Sequence, residues 1–118
     1  MKRNMDLIRS ILLALEKVES AGKMQQLSID GIAEEVLSYH VKLLFQAGLI
    51  EAHDASGVND FKWYPVSLTW DGHEFIEAAR NDTTWKNVTS QLIEKTGGLV
   101  FEVLKGSLIK SAVQLMQL

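Results

Sequence analysis

Leu37-Ser38-Tyr39-His40-Val41-Lys42-Leu43-Leu44-Phe45-Gln46-Ala47-Gly48-Leu49-Ile50 is the stretch on which the fold turns. Val36, Leu37, Val41 and Leu44 recur at three- and four-residue spacing and give one inner face to a helix. Gly48 follows the last of them, where a residue free to take positive φ lets a helix stop and the chain turn. Leu49-Ile50-Glu51-Ala52 then begins a strand, with successive side chains on opposite faces. The helix is expected to run from about Ile32 to Ala47.

Downstream, Asp54 to Asp60 is rich in turn formers, including Ser56-Gly57 and Asn59-Asp60. Phe61 to Thr69 reads as a returning strand through its β-favouring Trp63, Tyr64, Val66 and Thr69. Pro65, the only proline, suits an edge strand. Together the two strands predict a β-hairpin. Asp71-Gly72 opens a further helix with Phe75, Ile76, Ala78 and Ala79 inward. Asp82 or Thr83 can cap a fourth, carrying Trp85, Val88, Leu92 and Ile93, until Gly97-Gly98 interrupts it. A last helix from about Leu99 has two apolar rows, Val100, Leu104, Leu108 and Ala112 on one and Phe101, Ile109, Val113 and Met116 on the next. The pattern leaves open whether residues 83–118 form one helix or two. Trp70 and Trp85 are expected to anchor the junction between this extension and the rest of the chain.

Upstream, Asn4 can cap a first helix, with Asp6 in its first turn. Leu7, Ile8, Ile11, Leu12, Leu15 and Val18 form its apolar face, and Gly22 is its plausible stop. Gln26 to Ile29 alternates polar and apolar and reads as a short strand, and Asp30-Gly31 as a turn.

The sequence from Leu37 to Ile50 resembles the recognition helix and following strand of bacterial winged-helix repressors of the arsenic-repressor and multiple-antibiotic-resistance type. Leu68-Thr69-Trp70-Asp71-Gly72-His73 resembles the end of their wing. The whole chain, with its Met5-Asp6-Leu7-Ile8-Arg9 opening and Asp82-Thr83-Thr84-Trp85 turn, resembles a family of uncharacterised proteins from bacteria and their phages. The resemblance implies an α+β winged helix over residues 1–82, followed by a C-terminal helical extension over 83–118. One departure stands out. The nine residues between Gly22 and Ile32 read as strand and turn, so the usual helix ahead of the recognition helix, which normally crosses the DNA backbone, is expected to be shortened to a turn or absent.

Two functions compete. By the resemblance, the chain is a DNA-binding regulator of phage or prophage type, with double-stranded DNA as partner. If Leu37, Val41 and Leu44 face inward, the outward face carries Glu35, Ser38, Tyr39, Lys42 and Gln46, of which Ser38, Tyr39, Lys42 and Gln46 would read DNA, joined by Lys62 from the hairpin and opposed by Glu34, Glu35 and Glu51. The alternative is a protein-binding module directed at a host protein. Phe45, between Lys42 and Gln46 on the helical wheel, belongs either to the core or to such a surface. Charge bears on the choice. The net charge is −3, and residues 1–82 hold eight Lys/Arg against thirteen Asp/Glu, whereas 83–118 hold four against two. A duplex-binding domain ordinarily presents a basic footprint.

The extension is expected to make a homodimer, with Val100, Phe101, Leu104, Leu108, Ile109 and Ala112 at its interface. Gly106 weakens this helix by about 1 kcal/mol relative to alanine, which suggests a packing role. No catalytic residue, cofactor or metal is expected. His40, His53 and His73 fall in no metal-ligand spacing, and no nucleophile elbow or phosphate loop occurs. Cysteine is absent, which excludes disulfides and thiolate sites. With neither a signal peptide nor a membrane span in the pattern, the expected location is the cytoplasm and no membrane partner is foreseen.

Overall fold

The computed structural model describes residues 1–116. In chain order it comprises α1 (Met5–Glu16), α2 (Glu34–Gln46), β1 (Ile50–Asp54), β2 (Trp63–Leu68), α3 (Trp70–Ala79), α4 (Asp82–Thr96) and α5 (Phe101–Met116). This is an α+β fold, five helices with one two-stranded antiparallel sheet, consistent with a winged helix and a C-terminal helical extension. The chain divides into two compact units, Met1–Glu74 and a second beginning at Phe75.

In the first unit, Asn4 caps α1 as its side chain allows. Its Oδ1 accepts from the Asp6 N–H at 3.0 Å and the Leu7 N–H at 3.2 Å. Met5, Leu7, Ile8, Ile11, Leu12 and Leu15 then bury one face of the helix. Helix α2 buries Leu37, Val41 and Leu44, and α1, α2 and β2 pack on one another. Gly48 takes φ +76° and turns the chain from α2 into β1. The hairpin register pairs Ile50 with Leu68 and Asp54 with Trp63. Glu51 faces Ser67 and Ala52 faces Pro65, so Val66 is the extra residue of a β-bulge beside the proline.

The expected strand at Gln26–Ile29 is not a strand. The segment runs irregularly and is tied to β2 where the Gln25 N–H donates to the Pro65 carbonyl at 2.7 Å. No helix lies between α1 and Glu34, and in place of the supporting helix the interval holds a turn in which the Ile32 N–H donates to the Ile29 carbonyl at 3.1 Å. Trp70 does not anchor anything: 79% of it is exposed.

In the second unit the C-terminal sequence forms two helices. Gly97, at φ +78°, ends α4 in a left-handed cap, and its N–H donates to the Ile93 carbonyl at 2.8 Å. Asn81 caps the start, its Oδ1 accepting from the Thr84 N–H at 2.9 Å. Phe75 stands edge-on to Trp85 at 6.4 Å between ring centres and lies against Phe101 at 5.1 Å. Leu104 and Leu108 are fully buried. These two leucines therefore serve the interior, which corrects their expected place at a dimer interface, and Phe101 is half-buried against Phe75. Val100, Ile109 and Ala112 remain exposed.

Candidate functional site

Helix α2 and the wing meet along β2, and the meeting settles where each candidate residue points. Ser38 lies at the edge of the inner arc of α2, one residue from Leu37. Its Oγ accepts a hydrogen bond from the Trp63 N–H at 3.2 Å, and 5% of the residue is exposed. It fastens the wing to the helix and is not available to a ligand, which corrects its expected place on a reading face.

Lys62 crosses the same junction. Its Nζ donates to Glu34 Oε2 at 3.0 Å. The Glu34 carboxylate, by hydrogen bond and by charge, raises the Lys62 ammonium above its ordinary value, so the lysine stays charged but faces an opposite charge on α2. Lys42 lies 5.8 Å from the centre of the Phe61 ring, within cation–π range. It also feels the wing: the Asp54 carboxyl is held below its usual value chiefly by hydrogen bonds from Ser56, and the Lys42 charge adds to this. Tyr39 is half-buried, its ring edge-on to His40 at 5.9 Å. Gln46 is exposed at the end of the helix. Of the five expected contact residues, Gln46 is exposed and Tyr39, Lys42 and Lys62 are only partly so, and the two lysines are occupied by an aromatic and an acidic neighbour.

Three residues outside that set define the surface more strongly. Phe45 is 42% exposed and its ring rests on Trp63 at 5.5 Å. Phe61, two residues ahead of β2, adds a further ring against Lys42. Beside Trp63 lies a groove of about 360 Å³ between Gln25–Ser28, the first turns of α2, and Lys62–Pro65. The alternation at Gln26–Ile29 signalled extended chain here, but nothing in the sequence signalled that the chain would border a groove. At the first turn of α2, Glu34 and Glu35 are exposed, where they complement the helix dipole. The wing tip bears Val58, 93% exposed, next to Asn59 in the left-handed region at φ 60°.

His40, in contrast, is wholly buried and satisfied. Its Nδ1–H donates to the Val36 carbonyl at 2.8 Å and its Nε2 accepts from the Asn4 N–H at 2.9 Å. The carbonyl can only accept and the amide can only donate, so the ring carries its proton on Nδ1. It couples α2 to the cap of α1 and has no free nitrogen for a metal or a substrate. Among the described residues no group of three His, Asp or Glu side chains is placed to hold a metal ion. No helix among them is long and apolar enough to cross a membrane.

Comparison with known proteins adds a family and no activity. Residues 2–98 match a family model described as hypothetical protein, DUF2513. A relative from Haemophilus influenzae, described as an uncharacterized protein, is 44% identical over 106 residues, covering 89% of this chain and 90% of its own. No solved structure matches the chain.

Proposed function

From a chain that belongs to the DUF2513 family of hypothetical proteins, we propose a protein-binding module built on a winged-helix frame, without DNA binding or catalysis. One observation carries the reading: the Lys62 ammonium is bound to Glu34 at 3.0 Å. In a helix-turn-helix, the N-terminal residues of the recognition helix approach the base edges and the preceding helix crosses the backbone. Here those first residues are Glu34 and Glu35, and the preceding helix is missing. The wing cation that would offset their charge is already engaged with one of them. Glu35 would meet the phosphates without compensation.

Phe45, Trp63 and Phe61 supply what a protein partner uses instead. Partly exposed aromatic rings backed by a rigid helix and strand are the usual anchors of protein interfaces. The flanking Glu34, Glu35 and Asp54 form a polar, acidic rim, which favours a partner presenting basic residues around an apolar socket.

The DNA-binding regulator remains the competing reading, and one titration separates the two. Fluorescence anisotropy with random-sequence duplex DNA at low salt is expected to show no binding, because the sequence-independent phosphate term requires more cations than Lys42 and the already engaged Lys62 supply. Binding that weakens steeply with added salt, and is lost in Lys42→Glu, would restore the regulator. On the protein side, a photo-crosslinking amino acid at position 45 is expected to capture one discrete protein in the native cell. The same group at exposed Ser10 of α1 is expected to capture none.

A further inference from the structure

Helix α5 buries one side of itself in its own unit through Leu104 and Leu108 and leaves the other side bare. At 100° per residue the bare side is an arc about 120° wide, bounded by Ile109 and Val103, with Gly106 at its centre. Val103, Ile109 and Val113 on this arc are 48%, 44% and 46% exposed. A Cβ built on Gly106 would meet nothing within 4 Å, so neither the helix nor its own unit requires a glycine there. The glycine costs the helix about 1 kcal/mol, a cost that a close approach by a visitor from outside the unit would offset.

The charges on the arc identify the visitor. Glu102 and Lys110 are both exposed and stand four residues to either side of Gly106. They lie about 6 Å below and above it along the axis, on one i, i+4 ridge. A ridge reading Glu–Gly–Lys is complementary to itself when reversed. We propose that α5 of a second copy of this chain packs antiparallel on this arc, the two helices crossing at Gly106. Each Glu102 then faces the Lys110 of the other helix, and the two i, i+4 ridges lie side by side as in the commonest class of helix crossing, at about −50°. The side-chain-free ridge centre lets the backbones approach, and Val103, Ile109 and Val113 close over the crossing. A two-fold axis through the crossing makes both ion pairs identical, as a symmetric dimer requires. A parallel pair would set Glu102 beside Glu102 and Lys110 beside Lys110. This assignment concerns α5 alone and does not rest on the role proposed for α2 and the wing.

Three measurements on the full chain decide it. Light scattering at about 100 μM is expected to give twice the chain mass of 13.2 kDa; a monomer at that concentration overturns the proposal. Glu102→Lys is expected to weaken the dimer roughly tenfold, because two attractions become two repulsions, and adding Lys110→Glu is expected to restore it to within about twofold. Circular dichroism checks that both variants keep the helices. A dimer indifferent to the single reversal overturns the register. Because the chain has no cysteine, introduced thiols report on geometry directly. An equimolar mixture of Glu102→Cys and Lys110→Cys chains is expected to form a disulfide-linked dimer on mild oxidation, and neither variant alone is expected to do so. Rapid self-linking of Glu102→Cys would show a parallel pair and overturn the antiparallel one.

Discussion

Gly72→Ala is expected to lower the stability of the protein by about 3 kcal/mol, which for a chain of this size amounts to a fall in Tm on the order of 10 °C. A methyl group at this position would sit deep inside the van der Waals radius of the Leu49 carbonyl oxygen, and 3.1 Å from its carbon. The obstacle is backbone, which cannot swing aside as the end of a flexible side chain can. It is also backbone with duties. The Leu49 carbonyl accepts the Thr69 N–H at 3.1 Å, while the Thr69 Oγ1–H donates to the Gly48 carbonyl at 2.6 Å and accepts the Gly72 N–H at 3.1 Å. Moving Leu49 to admit the methyl therefore breaks the clasp between the end of α2 and the start of α3. Gly98→Ala, where the added carbon meets nothing within 4 Å, is the control and is expected to be close to neutral. Thermal melts of the two variants beside the parent check the result. Equal melting temperatures for Gly72→Ala and the parent would mean that the close approach does not exist.

His40→Leu is the second large effect, expected at about 2–3 kcal/mol. The cost comes from the hydrogen bonds and not from volume, since leucine fills a similar space. The Asn4 N–H loses the acceptor it reaches across 36 positions of sequence. A donor left unpaired in a part-buried place costs about 1–3 kcal/mol. Asn4 is also the residue whose side chain caps α1, so loosening it frays the first turn that buries Met5, Leu7 and Ile8. His40→Gln is expected to recover part of the loss, because its Oε1 can accept the same N–H. Urea unfolding of the three proteins measures the order. If the glutamine variant is no better than leucine, the bond to Asn4 contributes nothing.

Much of the frame is legible because it rests on local chemistry. The α2 spacing predicts Ile32 to Ala47 and the helix runs from Glu34 to Gln46, stopped by Gly48 in the left-handed region. Asn4 does what a capping asparagine does. The two strands lie inside the predicted runs except that β1 extends to Asp54. What failed depended on a second element. A helical wheel places Ser38 at the margin of the inner face, and only the arrival of Trp63 beside it decides that it is covered. Lys62 reads as a free cation until Glu34, 28 residues away, is found against it. The two apolar rows of α5 look alike in sequence. Once α4 and α5 are separate helices, Leu104 and Leu108 of one row and Phe101 of the other are covered, while Val100, Ala112, Ile109 and Val113 are left exposed. Gly72 reads as the start of a helix, and nothing in its neighbours reveals that Leu49 passes so close. Periodicity gives the faces of elements but not what those faces meet.

The missing supporting helix also sets how the first unit breathes. Residues 17–33 carry no helical ladder, and the Gln25 N–H to Pro65 carbonyl bond is what joins the middle of the segment to β2. Amide hydrogens of an element wound into a helix exchange with solvent only when that helix opens, whereas those of an irregular surface segment exchange through small local excursions. The floor of the groove, formed by buried Leu37 and Val41, can thus be uncovered by lifting this strap, while α1 and the wing stay folded. A conventional winged helix would have to unwind a helix to expose the same residues. Such an opening of the core would lie beside the aromatic side chains Phe45 and Trp63 that we propose as a partner surface.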